Sequence, residues 1–272
     1  MEEILSKIND LPQELKSQKE KILNTRKSFI EVSLKQVENQ SFATSKVGGK
    51  PYLPINEKYP LDKSGKPMEF LGQINFKDLV KFEDYPTNGL LQFFISLEDW
   101  GMNYEEPLKS DIKVIYHEQI EEEVQTEFEF LDKQRAEGVS PIGKDEFEMN
   151  FSKPKYEVAS SRDYRSYTKV EDSFKHYMEF DKFEEPRAEE LEMAYWDAFS
   201  SFGHKIGGYA DFTQQDPRFY KNQDYTELLF QFDSDSNTDI LWGDDGIANF
   251  FICKEDLKNK DFSNILYNWD CH

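Results

Sequence analysis

Three short blocks occur twice in this chain, in the same order and at nearly the same separation. Met-Glu-Phe-Leu-Gly-Gln-Ile-Asn (68–75) aligns with Thr-Glu-Leu-Leu-Phe-Gln-Phe-Asp (226–233), which carries Gln73 onto Gln231. Asn-Gly-Leu-Leu-Gln-Phe-Phe-Ile (88–95) aligns with Asp-Gly-Ile-Ala-Asn-Phe-Phe-Ile (245–252), carrying Phe93 onto Phe250. Upstream, Ser-Lys-Val-Gly-Gly (45–49) aligns with His-Lys-Ile-Gly-Gly (204–208). The spacing drifts by one residue from block to block. Such self-similarity constrains the fold more than local propensity does, because each copy must form the same supersecondary unit.

Each copy reads as a Gly-Gly loop, a strand (68–75; 226–233), a connection, a turn at Asn88-Gly89 or Asp245-Gly246, and a second strand (90–96; 247–253). Asn-Gly and Asp-Gly tolerate the positive φ of tight turns, so they mark where the second strand begins. The expected fold class is α+β. Two related antiparallel β units, 45–100 and 204–257, arise from an internal duplication and pack in one domain (42–272) with peripheral helices. Residues 1–41 supply N-terminal helices and a first strand packed on that core.

Around the repeats, Leu5, Ile8, Leu11, Leu15 and Ile22 follow a helical period broken at Pro12, which predicts a short helix and then a longer one. Ile30, Val32 and Leu34 alternate with Glu31, Ser33 and Lys35, as in a strand with one wet face. The glycines and prolines of 45–67 suit a long ordered loop. Further alternation at Ile112, Val114 and Tyr116 and at Phe147, Met149 and Phe151 predicts two more strands, and the acidic stretch from Glu118 to Gly138 a solvated helix. Leu191, Ala194, Tyr195, Ala198, Phe199 and Phe202 keep helical spacing between Pro186 and Gly203.

The chain has 33 Lys+Arg against 54 Asp+Glu, a net charge of −21, with 38% apolar and 15% aromatic residues. That apolar content can fill a core, so disorder is excluded for most of the chain. The negative field opposes phosphate backbones and anionic lipid, and no window carries a basic cluster, so neither nucleic acid nor membrane is expected as a partner. With no basic leader segment and two cysteines, Cys253 and Cys271, expected as free thiols, the chain reads as cytoplasmic.

Five blocks in order, Gly-Gly-Lys-Pro-Tyr-Leu-Pro (48–54), Phe-Leu-Gly-Gln-Ile (70–74), Gly-Leu-Leu-Gln-Phe-Phe (89–94), His-Lys-Ile-Gly-Gly-Tyr (204–209) and Trp-Gly-Asp-Asp-Gly-Ile-Ala-Asn-Phe-Phe-Ile (242–252), resemble the YwqG-like family, a bacterial domain of unknown function. The resemblance runs from about residue 42 to the C-terminus and departs at Tyr59-Pro60, where the family often has Trp-Pro. It implies a cytosolic α+β protein with a duplicated core and no established activity, substrate or cofactor. Relatives found beside toxin and immunity genes make a basic, toxin-like protein the partner that the resemblance suggests.

Catalytic signatures are missing: there is no Gly-x-Ser-x-Gly, Cys-x-x-Cys, His-Glu-x-x-His or phosphate loop. Gln73 and Gln231 sit at matching places in apolar strands. Their simplest role is to hydrogen-bond backbone near the Gly-Gly loop of their own half, and their alternative role is to line a cleft between the halves. Asp233, Asp235, Asn237, Asp239 and Asp244 have the alternate spacing of a calcium loop, although Thr238 stands where glycine is wanted and Asp244 where glutamate is usual. An ordinary Asp/Asn-rich turn is the competing reading. A ligand site is expected among Gly48, Gly49, Gln73, His204, Gly207, Gly208, Gln231, Trp242, Asp244 and Asp245; His204 could otherwise only complement a helix end and Trp242 only fill the core. No catalytic residue is assigned, and cofactors and small ligands stay unknown. The expected function is a non-catalytic binding or regulatory protein with an acidic surface for a basic partner. The alternatives are an enzyme with a cleft between the halves and a calcium binder through 233–244.

Overall fold

The computed structural model describes residues 1–38, 41–170 and 173–272. Three short helices open the chain: α1 (Glu2–Asp10), α2 (Gln13–Lys16) and α3 (Lys19–Leu23). The order expected at Pro12 is therefore reversed, with the longer helix first, and Ile4 rather than Leu5 joins Ile8, Leu11, Leu15 and Ile22 in the interior.

The strands that follow are β1 (Lys27–Val37), β2 (Lys46–Gly48), β3 (Glu69–Asn75), β4 (Leu90–Ile95), β5 (Ile112–His117), β6 (Glu146–Phe151), β7 (Lys155–Glu157), β8 (Tyr167–Val170), β9 (Ser173–His176), β10 (Lys205–Gly207), β11 (Glu227–Asp233), β12 (Ile247–Ile252) and β13 (Leu266–Asp270). Among the described residues, eleven of them form one antiparallel sheet in the order β13-β12-β11-β10-β1-β6-β2-β3-β4-β5, with β7 beside β1, while β8 and β9 pair separately. The long strand β1 lies at the centre. One half of it pairs with β6 and the other with β10 and β7, so it joins the unit β2-β3-β4-β5 to the unit β10-β11-β12-β13.

The two units share details as well as order. Phe70 pairs with Phe94 and Gly72 with Phe93, which leaves Leu71 as a bulge. In the other unit Leu228 pairs with Phe251 and Phe230 with Phe250, leaving Leu229 in the corresponding place. A bulge bends a strand and increases its twist, so both units curve alike. Both inner faces are apolar, and they meet in aromatic packing: the Phe93 ring lies 5.9 Å from Phe230, 5.6 Å from Phe232 and 4.9 Å from Phe250. Burying each such ring contributes about 2–3 kcal/mol.

The helices lie outside this core. Helix α5 (Arg187–Phe199) buries Leu191, Tyr195 and Phe199 against Ile4, Ile8, Leu15 and Ile22, forming a second apolar cluster. It stops at Phe199, so Phe202, which continues the helical spacing in sequence, is exposed instead. The acidic stretch also departs from expectation. Only Glu129–Ala136 is helical (α4), and its Arg135 is buried, donating to Glu69 Oε1 at 2.8 Å, Gly49 O at 2.9 Å and Phe70 O at 3.0 Å. That stretch is pinned to the first unit through a guanidinium that net charge alone does not reveal. The last helix, α6 (Lys254–Asn259), follows β12.

Candidate functional site

In β10 and β11, Lys205 pairs with Gln231, so the residues flanking that pair share one corner. His204 Nδ1 accepts from the backbone N–H of Asp233 at 3.1 Å. This bond leaves the proton of the neutral ring on Nε2. That Nε2 is buried without a hydrogen-bond partner, and Asp235 Oδ2 lies 3.8 Å away. The ring stacks on Phe230. Burial pushes the carboxyl of Asp233 up to about 6, although Gly203 N–H donates to it at 2.5 Å. Asp235 behaves oppositely: His204, the N–H of Asn237 and its amide group hold it down at about 2. Burial on one side and hydrogen bonding on the other thus drive the pKa values of these two neighbouring carboxyls apart.

This corner opens into a cleft of about 670 Å³ bounded by α1, β1, β7 and the loop after β11. Its lining carries three lysines, each answered by a carboxylate: Lys7 by Glu3 at 3.6 Å, Lys155 by Glu31 at 2.6 Å, and Lys205 by Glu157 at 2.6 Å. Among the described residues, Asp233 and Asp235 have no lysine or arginine partner. The cleft therefore holds an excess of negative charge beside the buried imidazole.

The same corner of the first unit has neutral side chains at the two matching positions. Ser45 Oγ occupies the place of His204 Nδ1, accepting from Asn75 N at 2.8 Å, and it donates to Asp78 Oδ2 at 2.7 Å. Asn75 replaces Asp233 and spends its amide on Ala43 O at 2.9 Å. One scaffold thus carries two chemistries: serine and asparagine with the single carboxylate of Asp78 in the first unit, and an imidazole with the carboxyls of Asp233 and Asp235 in the second.

A family model described as Domain of unknown function (DUF1963) matches residues 45–271. The chain belongs to the DUF1963 family. No curated protein matches it.

Of the residues singled out in sequence, this DUF1963 chain brings His204, Asp233, Asp235 and Asn237 to the cleft. The two glutamines are fully buried and committed to backbone. Gln73 Nε2 donates to Phe42 O and Thr44 O at 2.5 and 2.9 Å, and Gln231 Nε2 to Ser201 O and Gly203 O at 2.8 and 2.9 Å. The glycine pairs have nearly the same backbone, with φ of +71° and +64° at Gly48 and Gly49 and +72° at both Gly207 and Gly208. A Cβ on Gly49 would come within 2.5 Å of Glu146, and one on Gly208 within 1.9 Å of Glu157. Each loop wraps the carboxylate of a buried pair, Lys46–Glu146 at 2.8 Å and Lys205–Glu157 at 2.6 Å. These lysines stand at matching positions in the aligned blocks, which was the available signal for them. Their glutamates come from the unmatched middle of the chain and had none.

The remaining candidates lie elsewhere. Trp242 is buried among Trp100 and Trp269 with Nε1 unpartnered, Asp244 accepts from His272 N–H through its carbonyl, and Asp245 takes the left-handed turn at φ +56° before β12. Of the calcium-loop residues, Asp233, Asp235 and Asn237 line the cleft, and Asp239 and Asp244 do not. Asp233 turns to Gly203 N–H, Asp235 to Asn237, and Asp239 packs on Gly143. Among the described residues, no group of three or more His, Cys, Asp or Glu side chains is placed to hold an ion.

Proposed function

We propose that the protein is a non-catalytic binding or regulatory protein whose cleft beside His204 takes a cationic side chain of a basic partner. The observation that carries this reading is the pair Asp233 and Asp235, the carboxylates of the lining that have no lysine or arginine partner. A guanidinium or ammonium there would complete the pattern set by the other three carboxylates, and the net charge of −21 would steer such a partner and make association salt-dependent. The contrast with Ser45 and Asn75 supports the same reading, since the matching positions of the first unit hold neither an imidazole nor a carboxyl group. Internal duplication, membership of the YwqG-like group and residence in the cytoplasm belong to this proposal. It rests on the shared strand order and bulges and on the sequence blocks. Among the described residues, no helix is long and apolar enough to cross a membrane.

A second reading, an enzyme, has one observation in its favour: a buried imidazole proton near a carboxylate at the edge of a cleft is an arrangement used for acid–base chemistry. The two readings separate in a pull-down from the native lysate at low and high salt, with wild type and Asp235→Asn. Retention of a basic protein that salt releases and the variant loses supports binding. No protein partner, together with a small molecule retained by the purified protein, overturns it.

A further inference from the structure

The sheet ends at β5. Ser96 N donates to Asp111 O at 2.9 Å, one step beyond the pair Ile95–Ile112. Antiparallel ladders alternate, so the backbone groups of Lys113, Ile115 and His117 face β4, and those of Ile112, Val114 and Tyr116 face outward. Among the described residues β5 pairs with β4 alone. Its apolar residues are correspondingly only partly buried, whereas Leu266 and Tyr267 of β13, the last strand of the other unit, are fully buried.

This open edge faces residues of the second unit across a gap. It borders a cleft of about 360 Å³ whose lining includes Ile112 and Val114 on one side of the chain and Tyr225, Phe262 and Ile265 from the second unit. The Tyr116 ring lies 5.1 Å from Phe262. The segment before β5 is tied to β13 through Tyr267 Oη to Trp100 O and Trp269 Nε1 to Asp99 O, both 3.1 Å. The sheet thus curls until its two ends nearly meet and leaves one slot between them.

We propose that this slot takes an extended peptide segment of a partner protein, which adds to β5 as a further strand. The outward N–H and C=O groups of Ile112, Val114 and Tyr116 form a row of donors and acceptors that an extended backbone matches. Lys113 is the one charged residue of the lining, so the segment is recognised by main chain and by apolar side chains at alternate positions. A second copy of the folded chain does not fit as the occupant, because its own Phe262–Ile265 wall would meet the first. The inference stands independently of the cleft at His204.

The test is amide hydrogen exchange by NMR on the full chain, with an acetylated and amidated Thr-Val-Thr-Val-Thr-Val-Thr peptide as probe. In the free protein the amides of Ile112, Val114 and Tyr116 exchange faster than those of Lys113 and Ile115. Millimolar peptide slows the first set by roughly tenfold or more, as expected of newly hydrogen-bonded amides. Of two further peptides, N-methylated at every valine or at every threonine, one loses the effect and the other keeps it, because only one set of peptide N–H groups faces β5. Protection of the outward amides without peptide, no slowing with it, or equal behaviour of the two methylated peptides overturns the proposal.

Discussion

Tyr52 and Asp211 are held by the same pair of bonds in the two units. Tyr52 N–H donates to Gln73 Oε1 at 3.0 Å while its carbonyl accepts from Gln92 Nε2 at 2.7 Å. Asp211 N–H donates to Gln231 Oε1 at 2.9 Å while its carbonyl accepts from Asn249 Nδ2 at 2.9 Å. Each residue lies just beyond a Gly-Gly turn. There the chain leaves the sheet, and its backbone needs partners that no neighbouring strand supplies.

Replacing Gln231 with Leu strips partners from Ser201 O, Gly203 O and Asp211 N at once. Stability to urea is expected to fall by about 3 kcal/mol, with a similar loss for Gln73→Leu. A change within experimental error in either variant would show that water replaces the amide.

The raised carboxyl of Asp233 makes stability depend on pH. Its folded value, about 6, lies above its ordinary value of 3.8, so the folded state holds the proton more tightly than the unfolded chain. That contribution is fully present below pH 4, fades as pH rises towards 6, and leaves a constant penalty above. Asn75 shows that a neutral amide fits the matching corner of the first unit. Asp233→Asn is therefore expected to flatten the pH 4–6 slope and to gain on the order of 2 kcal/mol relative to wild type at pH 7. An unchanged slope in urea titrations at several pH values would refute the assignment.

Arg218 is completely buried, donating to Asp216 Oδ2 at 2.7 Å and Asp163 Oδ2 at 3.0 Å. Burial opposes ionisation of Asp163, but Arg165 and Arg218 outweigh it and hold the carboxyl well below the ordinary range. Arg218→Met leaves buried carboxylates short of a cation and should lower stability by about 3–5 kcal/mol. Thermal melts of the Arg218→Met, Asp216→Asn double variant should recover part of the loss, and no recovery would count against the pairing.

Calcium at a hundredfold excess over its Kd would stabilise a specific site by about 2.7 kcal/mol. Because Asp233 and Asp235 are turned to backbone donors and Asp239 to Gly143, millimolar calcium should leave the melting temperature where magnesium leaves it. A rise specific to calcium would restore the loop as a metal site.

Duplex DNA should not bind at physiological salt, given the net charge of −21. Micromolar affinity in a fluorescence titration would contradict this.

Period-two alternation made β1, β5 and β6 legible, and the repeated blocks did the same for β3, β4, β11 and β12, because a half-buried strand writes its face into its residues. Strand order was not legible. Alternation says which face of β1 is buried, not that β6 and β10 flank it. The helical run to Phe202 shows the same limit: spacing continues after the hydrogen bonds stop at Phe199. At the candidate site, His204 lay in a repeated block and Asp233 at the end of its partner strand, so their meeting follows from pairing β10 with β11. Glu157 enters from a region with no counterpart in the repeat, and only folding brings it to Lys205.

Three of the four tryptophans share one cluster: Trp100 lies 4.7 Å from Trp269 and 5.6 Å from Trp242. Trp100 lies between β4 and β5 of the first unit, and the other two belong to the second. Most of the indoles that give this protein its intrinsic fluorescence thus sit at the seam where the units meet. Exciton coupling between these indoles gives the molecule a built-in optical gauge of whether its two halves are together.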